Sequence, residues 1–209
     1  MIIAVDGPTA SGKGTIARAL AEHFHLPHLD TGLLYRAVGR QVALNRGDPD
    51  SEADAIIACA FTQDLLEEPE LRSEMTGGLA SRVSVHAGVR KALYERQRAF
   101  ATQPGGAVLD GRDIGTVIAP EAPIKLFVTA SVGTRAKRRF LEMQEAGHAI
   151  TLNEICADLA ARDERDRKRK EAPLRTAEDA IVLDTSDMDR DAAVAEAIRL
   201  VEEWLRQPR

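Results

Sequence analysis

Short apolar runs alternate along the chain with longer stretches of helical periodicity. Ile2-Ile3-Ala4-Val5-Asp6 reads as a strand, and Ile16-Ala17-Arg18-Ala19-Leu20-Ala21 begins the pattern of a helix running from about Gly12 to Phe24. A short strand near His28-Leu29-Asp30 is followed by a helix from about Leu33 to Leu44, which stops at Asn45-Arg46-Gly47-Asp48-Pro49. Ser51 with Asp54 opens another helix, to about Phe61. Residues 62–105 show no strand; Leu79, Val83, Val89 and Leu93 fit helical spacing, with a break expected near Gly88. Ala107-Val108-Leu109-Asp110, Ile124 to Ala130 and Ile181 to Asp184 complete a set of five buried strands. Helices are predicted over 131–146, 152–169 and 192–205. Apolar strands alternating with helices predict an α/β fold with a parallel sheet covered on both faces.

Ligands in such sheets bind beyond the carboxyl ends of the strands, so the residues there carry the chemistry. Strand one runs directly into Gly7-Pro8-Thr9-Ala10-Ser11-Gly12-Lys13-Gly14-Thr15 and then a helix. Glycines let the loop turn tightly, the helix N-terminus offers N–H donors, and Lys13 adds a full positive charge. This is a P-loop, a cradle for a nucleoside triphosphate. The strict pattern has Ser or Thr directly after the lysine; here Gly14 intervenes and Thr15 carries the hydroxyl, the form found in nucleoside monophosphate kinases.

Strand two ends in Asp30-Thr31-Gly32-Leu33-Leu34-Tyr35-Arg36 and strand three in Gly111-Arg112-Asp113. Arg36 and Arg112 therefore face one crevice from two walls, as a second phosphate would require. Asp30, Asp110 and Asp113 are candidates for metal-water contacts or base recognition. In the stretch 161–170, Arg162, Arg165, Asp166 and Arg169 share one helical face. Alone this reads as a solvated helix with pairs such as Arg162–Asp166; beside a P-loop it reads as a mobile element closing over phosphates, with Gly147 and Pro173 as hinges.

Composition adds limits. The 209 residues suffice for one domain, and 44% hydrophobic content with only 4% aromatics means a core of Ala, Leu, Ile and Val. A net charge of −5 argues against a general nucleic-acid binder. No apolar run approaches a membrane span, and no signal peptide is visible, so a cytoplasmic protein is expected. Cys59 and Cys156 lack a C-x-x-C partner and read as small core residues. His23, His25 and His28 straddle a helix end and Pro27 without a completing metal ligand.

The P-loop, Leu29-Asp30-Thr31-Gly32 with Tyr35-Arg36, Asp110-Gly111-Arg112-Asp113-Ile114-Gly115-Thr116, and Arg162-Asp163-Glu164-Arg165-Asp166-Arg167 together resemble the bacterial cytidylate kinases across nearly the whole chain. The resemblance implies a P-loop NTPase three-layer fold and transfer of the ATP γ-phosphoryl group to CMP or dCMP with Mg²⁺, by a monomer. It assigns Gly7 to Thr15 to ATP, and Thr15, tentatively, to the metal. Arg36 and Arg112 go to the CMP phosphate, and Ser81, Arg90 and Asp113 to the cytosine. Thr31, Arg162 and Asp166 lie near the sugar, and Arg169 belongs to the lid. Lys13, Arg112, Arg162 and Arg169 form the catalytic set. Residues 62–105 become the CMP-binding insert and 150–174 the lid of a single domain, 1–209. The family's insert usually holds a small antiparallel sheet; between Leu66 and Glu70 there is no room for it, so a shortened, mostly helical insert is expected. Thr31 stands where the family often has Ser. Two other readings share the P-loop: a kinase of dephospho-coenzyme A, and a nucleotide-dependent switch. The guanine-reading N-K-x-D of a GTPase is absent.

Overall fold

A computed structural model describes residues 1–145, 147 and 149–207. Five strands, β1 (Ile2–Asp6), β2 (His28–Asp30), β3 (Ala107–Gly111), β4 (Ile124–Thr129) and β5 (Ile181–Asp184), form one sheet in the order β2-β3-β1-β4-β5. Every pairing is parallel. β1 is central because it is apolar on both faces: Ile3, Ala4 and Val5 are fully buried. Ile3 and Val5 face α1 (Lys13–His23) and α8 (Arg190–Arg206), while Ala4 and Leu109 pack toward Ala101, Ile114 and Ile118. Each such Ile, Leu or Val contributes about 1.5–3 kcal/mol on burial.

On the far side of β2 lie α2 (Thr31–Leu44), α3 (Glu52–Ala58), α4 (Glu74–Val83) and α5 (Ala87–Ala101). Leu34, Val38, Val42, Ala55, Leu71, Val83, Val89 and Leu93 form their common core. Two short 3₁₀ turns, Gln63–Glu67 and Pro69–Arg72, join α3 to α4, so 62–105 is helical and holds no strand among the described residues. α6 (Val132–Glu145) and α7 (Leu152–Lys168) form a helical hairpin over the opposite side, packed through Ala136, Ile155 and Leu159. A capping box between Thr151 and Glu154 starts α7.

Several boundaries differ from the sequence reading. α2 begins at Thr31, not Leu33, and α3 ends at Ala58. The expected end of α6, Ala146, lies outside the described residues. The break within 62–105 falls at Ser84–His86, not Gly88. Gly88 sits in the first turn of α5, where its N–H donates to Glu52 Oε1 at 2.7 Å. A Cβ there would stand 2.4 Å from Ile56 Cδ1, so glycine serves close helix approach rather than a bend. Beyond β3, residues Ile114–Ile118 form a π-helical turn. Asp6, at the end of β1, accepts its Ile114 and Gly115 N–H groups at 2.8 Å each.

Burial is the main force on Asp6 and lifts its carboxyl to about 7 against those two hydrogen bonds. The folded chain then holds a proton that the unfolded chain has released between pH 4 and 7, so Asp6 makes stability fall as pH rises through that window. Denaturant melts at pH 4.5 and 7.5 should show a smaller loss for Asp6→Asn than for the native chain. An unchanged difference would mean that Asp6 is ionised throughout.

Candidate active site

The carboxyl ends of β1, β2 and β3 open into a cleft of about 640 Å³ that α4, α6 and α7 close from above. Thr9 to Thr15 line its floor. Gly7 and Pro8 lie behind it and shape the loop. A Cβ on Gly7 would sit 2.0 Å from the Val128 carbonyl oxygen, so only glycine lets the loop leave β1 so near β4. Ala10 (φ 60°) and Gly12 (φ 90°) are left-handed, which bends the chain around the space in front of α1. The Lys13 ammonium donates to the Pro8 carbonyl at 3.3 Å. Burial and the Arg112 guanidinium bring that ammonium down to about 8, while Asp110 and Asp30 oppose them.

The arginines expected from the sequence meet at this cleft. Arg36 wraps the chain entering α4, donating from Nη1 to the Leu71 and Ser73 carbonyls at 2.8 Å each. Its Nη2 and the Nη1 of Arg162 converge over Gly77, 2.9 and 3.2 Å from where a Cβ would be. Arg112 donates to the Thr9 hydroxyl at 2.5 Å and to Asp166 Oδ2. Asp166 Oδ1 accepts from Arg169 at 3.0 Å. Burial pushes the Asp166 carboxyl up, but Arg112 and Arg169 outweigh it and hold it below the usual carboxylate range. Arg90 pairs with Asp113 and lies over the Tyr35 ring, 5.6 Å from its centroid. Burial raises the Asp113 carboxyl despite Arg90, Arg169 and Arg112. Ser81 accepts from Arg165. The Thr31 hydroxyl donates to the Asp110 carbonyl at 2.8 Å, and a Cβ on Gly111 would meet it at 2.6 Å.

The solvated-helix picture of α7 does not hold. Arg162, Asp163, Asp166 and Arg169 are all buried, and the expected Arg162–Asp166 pair is replaced. Arg162 instead pairs with Glu74 of α4 and, at 2.8 Å, with Asp158. Each has a local partner, Asp158 for Arg162 and Arg169 for Asp166, and burial adds one from another segment, Glu74 and Arg112 respectively.

Four groups escaped the sequence reading: Glu74, Arg138, Arg139 and His28. Glu74 accepts from Arg139 and Arg162; burial opposes its ionisation, but the two guanidiniums hold it below its ordinary value. Arg138 donates to the Thr185 hydroxyl at 3.1 Å and to the Thr185 carbonyl at 2.6 Å. His28 Nε2 lies 2.7 Å from Asp110 Oδ1. Only α6 advertised itself: Arg135, Arg138 and Arg139 at helical spacing put three cations on one face.

A sequence model of the cytidylate kinase family matches residues 3–203. The chain belongs to this family. It is 53% identical to a cytidylate kinase from Caulobacter sp. (strain K31) over 96% of this chain and 94% of the relative. A cytidylate kinase from Granulibacter bethesdensis is 53% identical over 99% of both chains, and one from Cereibacter sphaeroides (strain KD131) 54% over 98% and 96%. Among solved structures, an uncharacterized protein from Eubacterium ventriosum shares the fold, with TM-score 0.56 at 18% identity over 97% of this chain and 98% of that one.

Because the Lys13 ammonium titrates near 8, polyphosphate binding to the free protein should weaken as pH rises from 7 to 9. Calorimetric titration with tripolyphosphate reads this directly, and in Lys13→Arg the alkaline loss should vanish. A native chain with a flat profile would place the lysine titration well above 9.

Proposed function

We propose that this protein transfers the γ-phosphoryl group of ATP to CMP or dCMP, yielding ADP and CDP or dCDP. One observation carries the reading: a P-loop and the arginines Arg36, Arg112 and Arg162 share one cleft in a chain of this family. The loop from Gly7 to Thr15 holds the ATP phosphates, with Lys13 on the transferring group. Arg36 and Arg112 take the CMP phosphate. Thr31, Arg162 and Asp166 stand beside the sugar. Ser81, Arg90 and Asp113 read the cytosine, and Arg169 comes with the lid.

Phosphoryl transfer asks little covalent help from the protein, so positioning and charge stabilisation do the catalysis. Lys13, Arg112, Arg162 and Arg169 supply that charge. Residues 62–105 serve as the acceptor-binding insert, and 150–174 as the lid that excludes water. Mg²⁺ suits the donor set nearby. Thr15 carries a hydroxyl, and Asp110 Oδ2 would lie 3.6 Å from a Cβ on Gly14, so hard oxygen donors flank the phosphate cradle. Thr15, phosphate oxygens and water would hold the ion, which screens the phosphate charge when bound. No group of three or more His, Cys, Asp or Glu residues among the described ones is arranged to hold a metal alone. No described helix is long and apolar enough to cross a membrane. A cytoplasmic monomer remains part of the proposal.

A dephospho-coenzyme A kinase would present an adenine rather than a cytosine to the buried Arg90–Asp113 pair. Turnover of ATP against CMP, dCMP, UMP, AMP and dephospho-coenzyme A separates the readings: CMP and dCMP should lead. Equal turnover of dephospho-coenzyme A would overturn the assignment. Asp113 accepts from the cytosine amino group but would face O4 of uracil with its own lone pairs. The kcat/KM ratio of CMP to UMP should therefore fall by about tenfold or more in Asp113→Ala. A preference that survives intact would move base reading to Arg90 and Ser81.

A further inference from the structure

Arg135 is 2% exposed and Asp163 4%, and neither lines the cleft. The two form a fork-to-fork pair, Nη1 to Oδ1 at 3.1 Å and Nη2 to Oδ2 at 2.6 Å. Two further bonds bring the guanidinium to four of its five N–H donors. Nε donates to the Ala130 carbonyl at 2.9 Å, and Nη1 donates to the Thr9 carbonyl at 3.1 Å. The last of these reaches into the P-loop, at the peptide that precedes left-handed Ala10.

That position matters because a peptide is planar. No described peptide bond is cis, and in a trans peptide the C=O and N–H groups point in opposite directions. With the Thr9 carbonyl fixed on Arg135, the Ala10 N–H points away from Arg135. Ala10 itself adopts φ 60°, a conformation that an alanine holds only when its surroundings enforce it. Thr9 is gripped a second time through its hydroxyl by Arg112. Asp163 orients the first arginine and Asp166 the second, one helical turn apart on α7.

We propose that Arg135, oriented by Asp163, is a positioning residue that fixes the Thr9–Ala10 peptide plane and so aims the Ala10 N–H at the donor phosphates. The consequence for catalysis rests on the kinase reading above; the orientation of the loop does not. A pair that served stability alone would need no bond to Thr9, and apolar residues of similar volume could replace it. The arrangement also couples α7 to the nucleotide floor, since a shift of Asp163 is felt at Thr9 through one side chain.

Arg135→Met/Asp163→Leu fills the same space without charge and separates the two roles. In this variant, folding checked by circular dichroism, the Kd for tripolyphosphate should rise about tenfold, the worth of one well-placed hydrogen bond, while the Kd for CMP changes less than about twofold. The backbone amide resonance of Ala10 should shift in the free protein. A folded variant that binds tripolyphosphate as the native chain does would overturn the proposal, as would equal weakening of both ligands. If the double variant does not fold, Asp163→Asn, nearly isosteric, is held to the same two criteria. Asp163→Asn joined to Arg135→Lys, which keeps the charge but loses the fork, should lose no more than either change alone. Native-chain turnover of CMP is measured alongside: its absence would remove the kinase reading and leave the tripolyphosphate result standing.

Discussion

Arginines crowd around one cleft, and each must be held there without repelling the next. Carboxylates solve this: Asp113 holds Arg90, Asp166 holds Arg112 and Arg169, and Glu74 holds Arg139 and Arg162. These acids come from the turn after β3, from α7 and from α4, so three separate parts of the chain are drawn together by charge. Removing one partner of such a buried pair leaves the other uncompensated, which costs about 3–5 kcal/mol. The cleft is therefore shaped by internal anions at the places where substrate phosphates bring external ones. A phosphate that takes over an arginine must outcompete a carboxylate already hydrogen-bonded to it, and its larger charge lets it do so.

The sheet supplies the rigid floor beneath this charge. β1 lies between β3 and β4, so the loop that leaves it emerges between the Gly111-Arg112-Asp113 turn and the Val128 carbonyl. Glycine at position 7 permits that exit, and Asp6 fastens the neighbouring turn through two backbone N–H groups. Two separate sequence signatures, the P-loop and G-R-D, are thereby locked to each other by a residue belonging to neither.

The fold and the floor of the site were legible because their signals are local. Four of the strands are mainly apolar runs, and the P-loop is one contiguous string. Arg36 and Arg112 line the cleft because of where they lie after strands: Arg112 follows β3 directly, and Arg36 sits in the second turn of the helix that follows β2. What escaped depends on contacts between segments far apart. Glu74 opens α4 after an ordinary cap, Ser73, and nothing local marks it as the partner of arginines 65 and 88 positions later. Arg162 and Asp166 matched a local i,i+4 rule, yet each takes a different local partner, Asp158 and Arg169, and in the buried cleft a distant one as well, Glu74 and Arg112. The Gly88 misreading has the same origin: a glycine can mark a bend or a close approach, and only Ile56 across the interface decides between them.

The central claim is that substrate phosphates replace the internal carboxylates on these arginines. Arginine Nε–H resonances followed by NMR during titration with a bisubstrate analogue, adenosine and cytidine joined through a polyphosphate bridge, test it most directly. The account predicts that the Arg112, Arg139 and Arg162 signals move at stoichiometric ligand while that of Arg199, which pairs with Glu196 and Glu203 on the exposed face of α8, stays in place. Signals from Arg112, Arg139 and Arg162 that remained unmoved in the saturated complex would show the carboxylate pairs persisting, and would contradict it.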